Sequence, residues 1–453
     1  MRPKMFFSIA ASLLSLLLKQ GEAQINKAYV SNNDGYVTVI DTETNQILIQ
    51  TLTVGQNARN IVFNLDSSKA YVSAQGFVSV IDTATDQLIA TINIEERGWF
   101  SAVTPDGLKV YVSDALSDYV SVIDTVIDQE IKTISVGTYP SSLGITPDGL
   151  KVYVPIWGDG VVIVIDTSTD QVIATVTVGE DYPQTATITP SGSKVYVGYN
   201  RAASSSSFVN VIDTSTDQVI ATISVGAVPH SIAITPDGAK AYVATTQNDI
   251  LSVIDTSTDQ VIATLAVGED PYWVFIRPDG GAAYVLNRGT SDISVVDTST
   301  DQLVAKITTG EWPFSMAFLP DDKAYVANRI GGNVNVIDTI TNQIIATLTV
   351  GGSPRIVAVC PPELALELVV NGEAKKDRLL TQTELYNIIK WEAPEDRTPT
   401  SYRILRNEEL IAILPTSQTE YTDHNVQKGE TRYEVVAYDD DTVVGEGIIF
   451  VNQ

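Results

Sequence analysis

Eight times along this chain an Asp closes a run rich in Val and Ile: Asp41, Asp82, Asp124, Asp166, Asp213, Asp255, Asp297 and Asp338. The spacing is 41 or 42 residues, with one step of 47. A Tyr-Val pair keeps the same beat, at Tyr29, Tyr71, Tyr111, Tyr153, Tyr196, Tyr242, Tyr284 and Tyr325. A fixed period of this length confines a chain to a solenoid, a propeller or an array, because one unit cannot bury its own apolar face and must stack on the next.

Each unit reads as four short strands. In one unit they are SIAIT (231–235), KAYVA (240–244), LSVID (251–255) and QVIATLAV (260–267), termed a, b, c and d. All are rich in Val, Ile, Thr or Tyr and bounded by Gly, Pro, Asp or Ser, the signature of strands. The a–b connection, TPDG, is a turn in which Pro presets the backbone and Gly takes the left-handed position. The c–d connection, DTSTDQ, opens on an Asp that can accept hydrogen bonds from the N–H groups just ahead. Four strands per unit describe a propeller blade. The first strand of the series is a b strand (27–31), the last an a strand (355–359), and each type occurs eight times. The expected fold is all-β, an eight-bladed β-propeller with seven blades as the alternative. Its closing blade joins a C-terminal a strand to N-terminal b, c and d strands.

The units resemble the YVTN family of β-propeller repeats, through YVSN at Tyr29, YVAN at Tyr325, VSVIDTATDQLIATI from Val78, and the TPDG turns at Thr104, Thr146 and Thr235. The resemblance covers about residues 25–359. It implies an exported or surface protein, periplasmic, cell-surface or secreted. Proteins of this kind are usually seven-bladed.

The ends of the chain read differently. Arg2 and Lys4, the apolar run 5–18 and the small residues Gly21 and Ala23 predict a signal peptide over 1–23. The propeller follows over 24–360. Residues 361–453 carry no repeat and predict a small antiparallel β-sandwich. Trp391, Tyr402, the Tyr421-Thr422-Asp423 run and the Tyr433–Ala437 strand resemble a fibronectin type III domain. The one cysteine, Cys360, excludes an internal disulfide.

The net charge of -27 argues against nucleic acid as a partner, since its binders cluster Lys and Arg. Of 55 acidic residues, 20 fall in repeated turn slots, so the acidity speaks of turns rather than of cationic partners.

In a propeller the d–a and b–c loops share one face. Here they differ from unit to unit, while the turns of the other face barely change. The slot that opens strand a reads Arg59, Trp99, Ser141, Gln184, His230, Tyr272, Phe314 and Arg355. Its neighbours add Tyr139, Tyr182, Trp273 and Trp312, and the b–c loops add Trp157, Tyr199, Arg201, Arg288 and Arg329. These are expected to crowd one channel mouth, with Trp99, Trp273 and Trp312 presenting open ring faces. Aromatic faces suit sugars, peptides or cations, and Arg suits carboxylates. The same residues could instead plug the channel, and both readings stand at this point.

Other signals are weaker. His230 and His424 are the only histidines and belong to different domains, so neither a two-histidine metal site nor a Ser-His-Asp triad is expected on the propeller. The acidic pairs Glu95-Glu96, Glu180-Asp181 and Glu269-Asp270 offer oxygen ligands for calcium but read more simply as solvated loops. The Ser-rich segment 200–207 reads as slack. No cofactor or catalytic residue is expected. The leading function is an exported, non-catalytic binding protein whose partner is an envelope or extracellular protein or a glycan. A propeller enzyme of lactonase or quinone-dependent dehydrogenase type and a structural surface-layer component are the alternatives. Oligomeric state is not legible.

Overall fold

The computed structural model describes residues 27–360, apart from 97, 180, 181, 201–206 and 320, together with seven strands between residues 370 and 452. The expected signal peptide, Arg201 with its Ser-rich segment, Glu180-Asp181 and His424 lie outside the described residues. The chain divides into two units, Met1–Pro362 and Glu363–Gln453.

The described residues of the first unit form eight four-stranded antiparallel sheets and no helix. Seven sheets are continuous in sequence; one example runs Gly98–Val103, Lys109–Asp114, Tyr119–Asp124, Gln129–Ser135. The eighth, blade 1, joins Pro354–Val359 to Lys27–Asn32, Tyr36–Asp41 and Gln46–Thr53, as the strand count predicts. Strand a of each blade touches strand a of the next. Pro354–Val359 touches both Pro313–Phe318 and Ile61–Phe63, so the ring closes at eight blades. The a strands face the central channel, the b and c strands are almost wholly buried, and the d strands alternate between exposed and half-buried positions on the outside.

The turns form as their chemistry dictates. In each c–d turn the strand-ending Asp accepts N–H groups two or three residues on, as at Asp82, where the Thr85 amide donates at 2.8 Å. In the a–b turns Gly107, Gly149 and Gly238 sit at φ of 71° to 72°, where a side chain would be strained.

The blades are locked by a device that turn chemistry alone does not explain. The Tyr of each Tyr-Val pair is completely buried. In six of the eight blade interfaces its hydroxyl donates to the Asp that precedes Gln in the next blade's c–d turn, and a Lys at the start of the same b strand pairs with that Asp at 2.7 to 2.8 Å. Lys109, Tyr111 and Asp170 form one such clamp. These Asp residues lie at φ of 52° to 54°, a left-handed conformation that Asp and Asn tolerate. At the other two interfaces Asn takes the place of Asp: Tyr284 donates to Asn342 at 2.9 Å and Tyr325 to Asn45.

In the second unit the strands form two antiparallel sheets. One runs Val370–Leu379, Gln382–Trp391, Glu420–Asp423, and the other Glu409–Pro415, Ser401–Arg406, Glu430–Asp439, Thr442–Asn452.

Candidate functional site

A β-bulge aims the slot residues. Pairing between strands a and b skips a residue right after the opening Pro or Gly, and the residues passed over are Trp99, Gln184, His230, Tyr272 and Phe314. A bulged residue is released from the ladder and its side chain re-aimed. The backbone ahead of the slot prepares the bend. Two residues before it, Asn57, Tyr139, Val228, Asp270 and Trp312 all have φ of 54° to 62°. For Val228 this is costly, because a branched Cβ crowds the backbone there. The carbonyls of these residues then accept the first b–c loop amides: Trp157 onto Tyr139 at 3.0 Å, Arg288 onto Asp270 at 2.9 Å, Arg329 onto Trp312 at 2.8 Å. The two variable loops of a blade are therefore tied together at the rim.

All eight slot residues line one cavity of about 660 Å³. Tyr139, Trp157, Trp273 and Arg329 line it as well. Tyr182, Tyr199, Arg288 and Trp312 do not. Tyr182 stacks on Trp157 with centroids 4.3 Å apart. Tyr199 is buried against Phe208. Arg288 pairs with Asp270 at 2.6 Å and lies over Tyr272 and Trp312. Asp270 is thus engaged by a guanidinium, which leaves it poorly placed as a calcium ligand. Among the described residues no group of three His, Cys, Asp or Glu gathers anywhere.

The aromatic faces are not where the sequence led us to expect them. The Arg59 guanidinium sits 3.7 Å over the Trp99 ring. Trp312 carries Arg288 at 4.8 Å and Arg329 at 5.2 Å. Trp273 packs against the core that contains Tyr284 and Met316, and its buried indole N–H finds no partner among the described residues. The open rings are Tyr139, 44% exposed, and Trp157, 39% exposed. Slot side chains are bulkiest where arginines cover them, so the covered rings fill one arc while the rest of the mouth stays open.

Sequence reasoning passed over Asn60, Phe100, Ser142, Thr185 and Ile356, which also line the cavity. Each follows a slot residue; at Phe100, Thr185 and Ile356 the signal was the opening Gly or Pro, after which a bulge turns two successive residues toward the channel instead of one.

His230 lies with its ring 3.5 Å from that of Tyr272 and edge-on to Trp273. Burial, and then the Arg288 charge, lower its pKa to about 4, against a partial opposing pull from a hydrogen bond with the Tyr272 backbone. The imidazole is neutral at pH 7. Because the folded value lies below the unfolded 6.5, the unfolded chain takes the proton first as pH falls. The stabilisation from a neutral His230 is complete above pH 6.5 and is lost between there and about pH 4, at roughly 3 kcal/mol for the full shift. The imidazole signal in an NMR titration is expected to move near pH 4, and His230→Gln to flatten the loss of stability between pH 6.5 and 4. A midpoint near 6.5 would place the ring in water.

No family model matches the chain, and no curated protein matches it. Among solved structures the chain is similar to hydrazine synthase of Kuenenia stuttgartiensis, with 27% identity over 62% of this chain and 95% of that one and a TM-score of 0.55. It is also similar to the dihydro-heme d1 dehydrogenase NirN in complex with DHE (16% identity, 76% of this chain and 77% of that one, TM-score 0.65). A functionally unknown protein from Desulfotomaculum acetoxidans is a third such structure (17% identity, 74% and 99%, TM-score 0.50). Likeness at 16% identity speaks for architecture alone, and the architecture it supports is the β-propeller.

Proposed function

We propose that the chain is an exported, non-catalytic binding protein of the YVTN-repeat kind, and that it holds its ligand at the mouth formed by the d–a and b–c loops. One observation carries this: eight slot residues of seven kinds converge on one open cavity, while the turns of the opposite face repeat the same chemistry. The C-terminal unit then serves as a spacer or second contact. Its strand order, three strands in one sheet and four in the other, supports the fibronectin-like reading. The expected partner remains an envelope or extracellular protein or a glycan.

A screen of glycans and peptides against the full chain tests this, with Trp157→Ala as the control. An open rim ring contributes to binding and not to the core, so affinity for any ligand found should fall about fivefold or more, on the order of 1 kcal/mol, with little change in melting temperature. A Trp157→Ala protein that melts early and binds unchanged would leave the plugged channel as the better account.

The name of one structural neighbour, a synthase at 27% identity, favours a propeller enzyme as the second reading. Against it, the cavity lining offers one imidazole and, among the described residues, no carboxylate. A reaction that needs convergent acids or metal ligands has little to draw on there.

A further inference from the structure

The charge of the mouth opposes the charge of the chain. The protein has 55 acidic and 28 basic residues, yet the cavity lining contains three arginines, no lysine and, among the described residues, no Asp or Glu. Three of the seven arginines in residues 27–360 line it, and a fourth, Arg288, stands just behind Tyr272.

These arginines are not spread evenly. In ring order Arg288 belongs to blade 7, Arg329 to blade 8, Arg355 to blade 1 and Arg59 to blade 2. They make one continuous arc over the rings of Tyr272, Trp312, Phe314 and Trp99. Within it Arg329 has no ion pair among the described residues, its Nε donating only a long bond of 3.4 Å to Ser353. A guanidinium in that position is arranged for a planar anion, which can accept two parallel N–H bonds.

The other arc is uncharged. Trp157, in blade 4, lies half a ring away from Arg329; one face of its indole is stacked on Tyr182, Tyr139 is set at right angles to it, and the ring is still 39% exposed. On the same side of the mouth the wall carries Ser141 and Ser142 on blade 4 and Gln184 and Thr185 on blade 5. The Gln184 side-chain amide makes no hydrogen bond among the described residues. Ser141 donates to the Gln184 carbonyl at 2.6 Å and Ser142 accepts from the Ala186 amide at 3.0 Å, so the polar group left open beside Trp157 is the Gln184 amide; it matches a hydroxyl of a sugar ring, and a simple aromatic acid would leave it without a partner.

We infer that the channel mouth binds an acidic oligosaccharide, with a sugar ring stacked on Trp157 and a carboxylate held at the arginine arc around Arg329. The inference rests on the reading of this face as a binding surface, and it adds the chemical class of the ligand. Because the two contacts lie half a ring apart, the ligand spans more than one sugar unit.

The test is isothermal titration of the full chain with trigalacturonate, its methyl ester, maltotriose and naphthoate. Trigalacturonate should bind best and more weakly as salt is raised, with its methyl ester and maltotriose weaker by roughly tenfold or more, the value of a hydrogen-bonded charge. Arg329→Gln should weaken trigalacturonate by a similar factor and leave maltotriose unaffected, and Trp157→Ala should weaken both sugars. Equal binding of acid and ester overturns the carboxylate, and naphthoate binding as tightly as trigalacturonate overturns the saccharide. If trigalacturonate does not bind while the wider screen yields a ligand lost in Trp157→Ala, the acidic sugar is wrong and the binding face stands. If the screen yields no ligand of this face, the face itself is wrong.

Discussion

Deleting Pro354–Val359 is expected to lower the melting temperature of the propeller by about 10 °C or more, a loss on the order of 5 kcal/mol. This strand pairs with Lys27–Asn32 through Ala28 with Val359, Tyr29 with Ala358 and Val30 with Val357. It also buries Val357 in the cluster that joins blades 8 and 1. Without it the N-terminal b strand presents a row of unpaired N–H and C=O groups beside buried apolar residues. Each buried orphan costs about 1–3 kcal/mol, and each lost apolar side chain about 1.5–3 kcal/mol. The bare edge is also a template for pairing with other chains, so the truncated protein should aggregate on heating. A thermal melt with light scattering checks both effects. An unchanged melting point would mean that the ring does not depend on its terminal strand.

The ring was legible because its evidence is repetition: each strand type occurs eight times, and the beat begins on a b strand and ends on an a strand. The slot residues were legible for the same reason, since Arg59, Trp99 and their equivalents hold one position in a changing sequence. What escaped was set by geometry that the local sequence does not encode. The bulge that exposes Phe100 and Thr185 depends on how strand a pairs with strand b. Whether a ring is open depends on which guanidinium lies over it, as Arg59 does over Trp99 and as none does over Trp157 among the described contacts.

The Asp before Gln shows the limit most clearly. Its place in a tight turn and its left-handed backbone follow from DTSTDQ, and that reading is sound as far as it goes. Its partners are Lys and Tyr about 60 positions earlier in the sequence, in the preceding blade. The chain did carry a trace of this. At Asn342 the charge is absent from the turn, and the position that holds Lys in the other blades is Ala282, so carboxylate and ammonium are missing together. At Asn45 the Lys persists, and Lys323 turns to Asp321 within its own a–b turn. The tyrosines respond accordingly. Burial raises Tyr284, which faces Asn342, to about 12; Tyr111 is raised further, first by burial and then by its bond to Asp170.

That natural pair of exceptions predicts a double-mutant cycle at Lys109 and Asp170. Asp170→Asn keeps a residue that tolerates the left-handed backbone and can still accept from Tyr111, as Asn342 does from Tyr284. It leaves the Lys109 ammonium, with its side chain 24% exposed, without a countercharge. A fully buried ion pair broken at one end costs about 3–5 kcal/mol; with this much water at Lys109 the expected cost is about 2 kcal/mol. Lys109→Ala leaves Asp170 bonded to the Tyr111 hydroxyl and should cost about 1 kcal/mol, part of it from lost packing of the Lys stem. The double variant approaches the Ala282–Asn342 arrangement, in which neither charge is stranded and Arg277 takes the carbonyl of Thr339 in place of a Lys. It should therefore be less destabilised than the sum of the singles by about 1 kcal/mol, measured by urea unfolding. Additive losses would mean that the repeated clamp is three independent hydrogen bonds, and that the joint absence of both charges at Asn342 has no energetic cause.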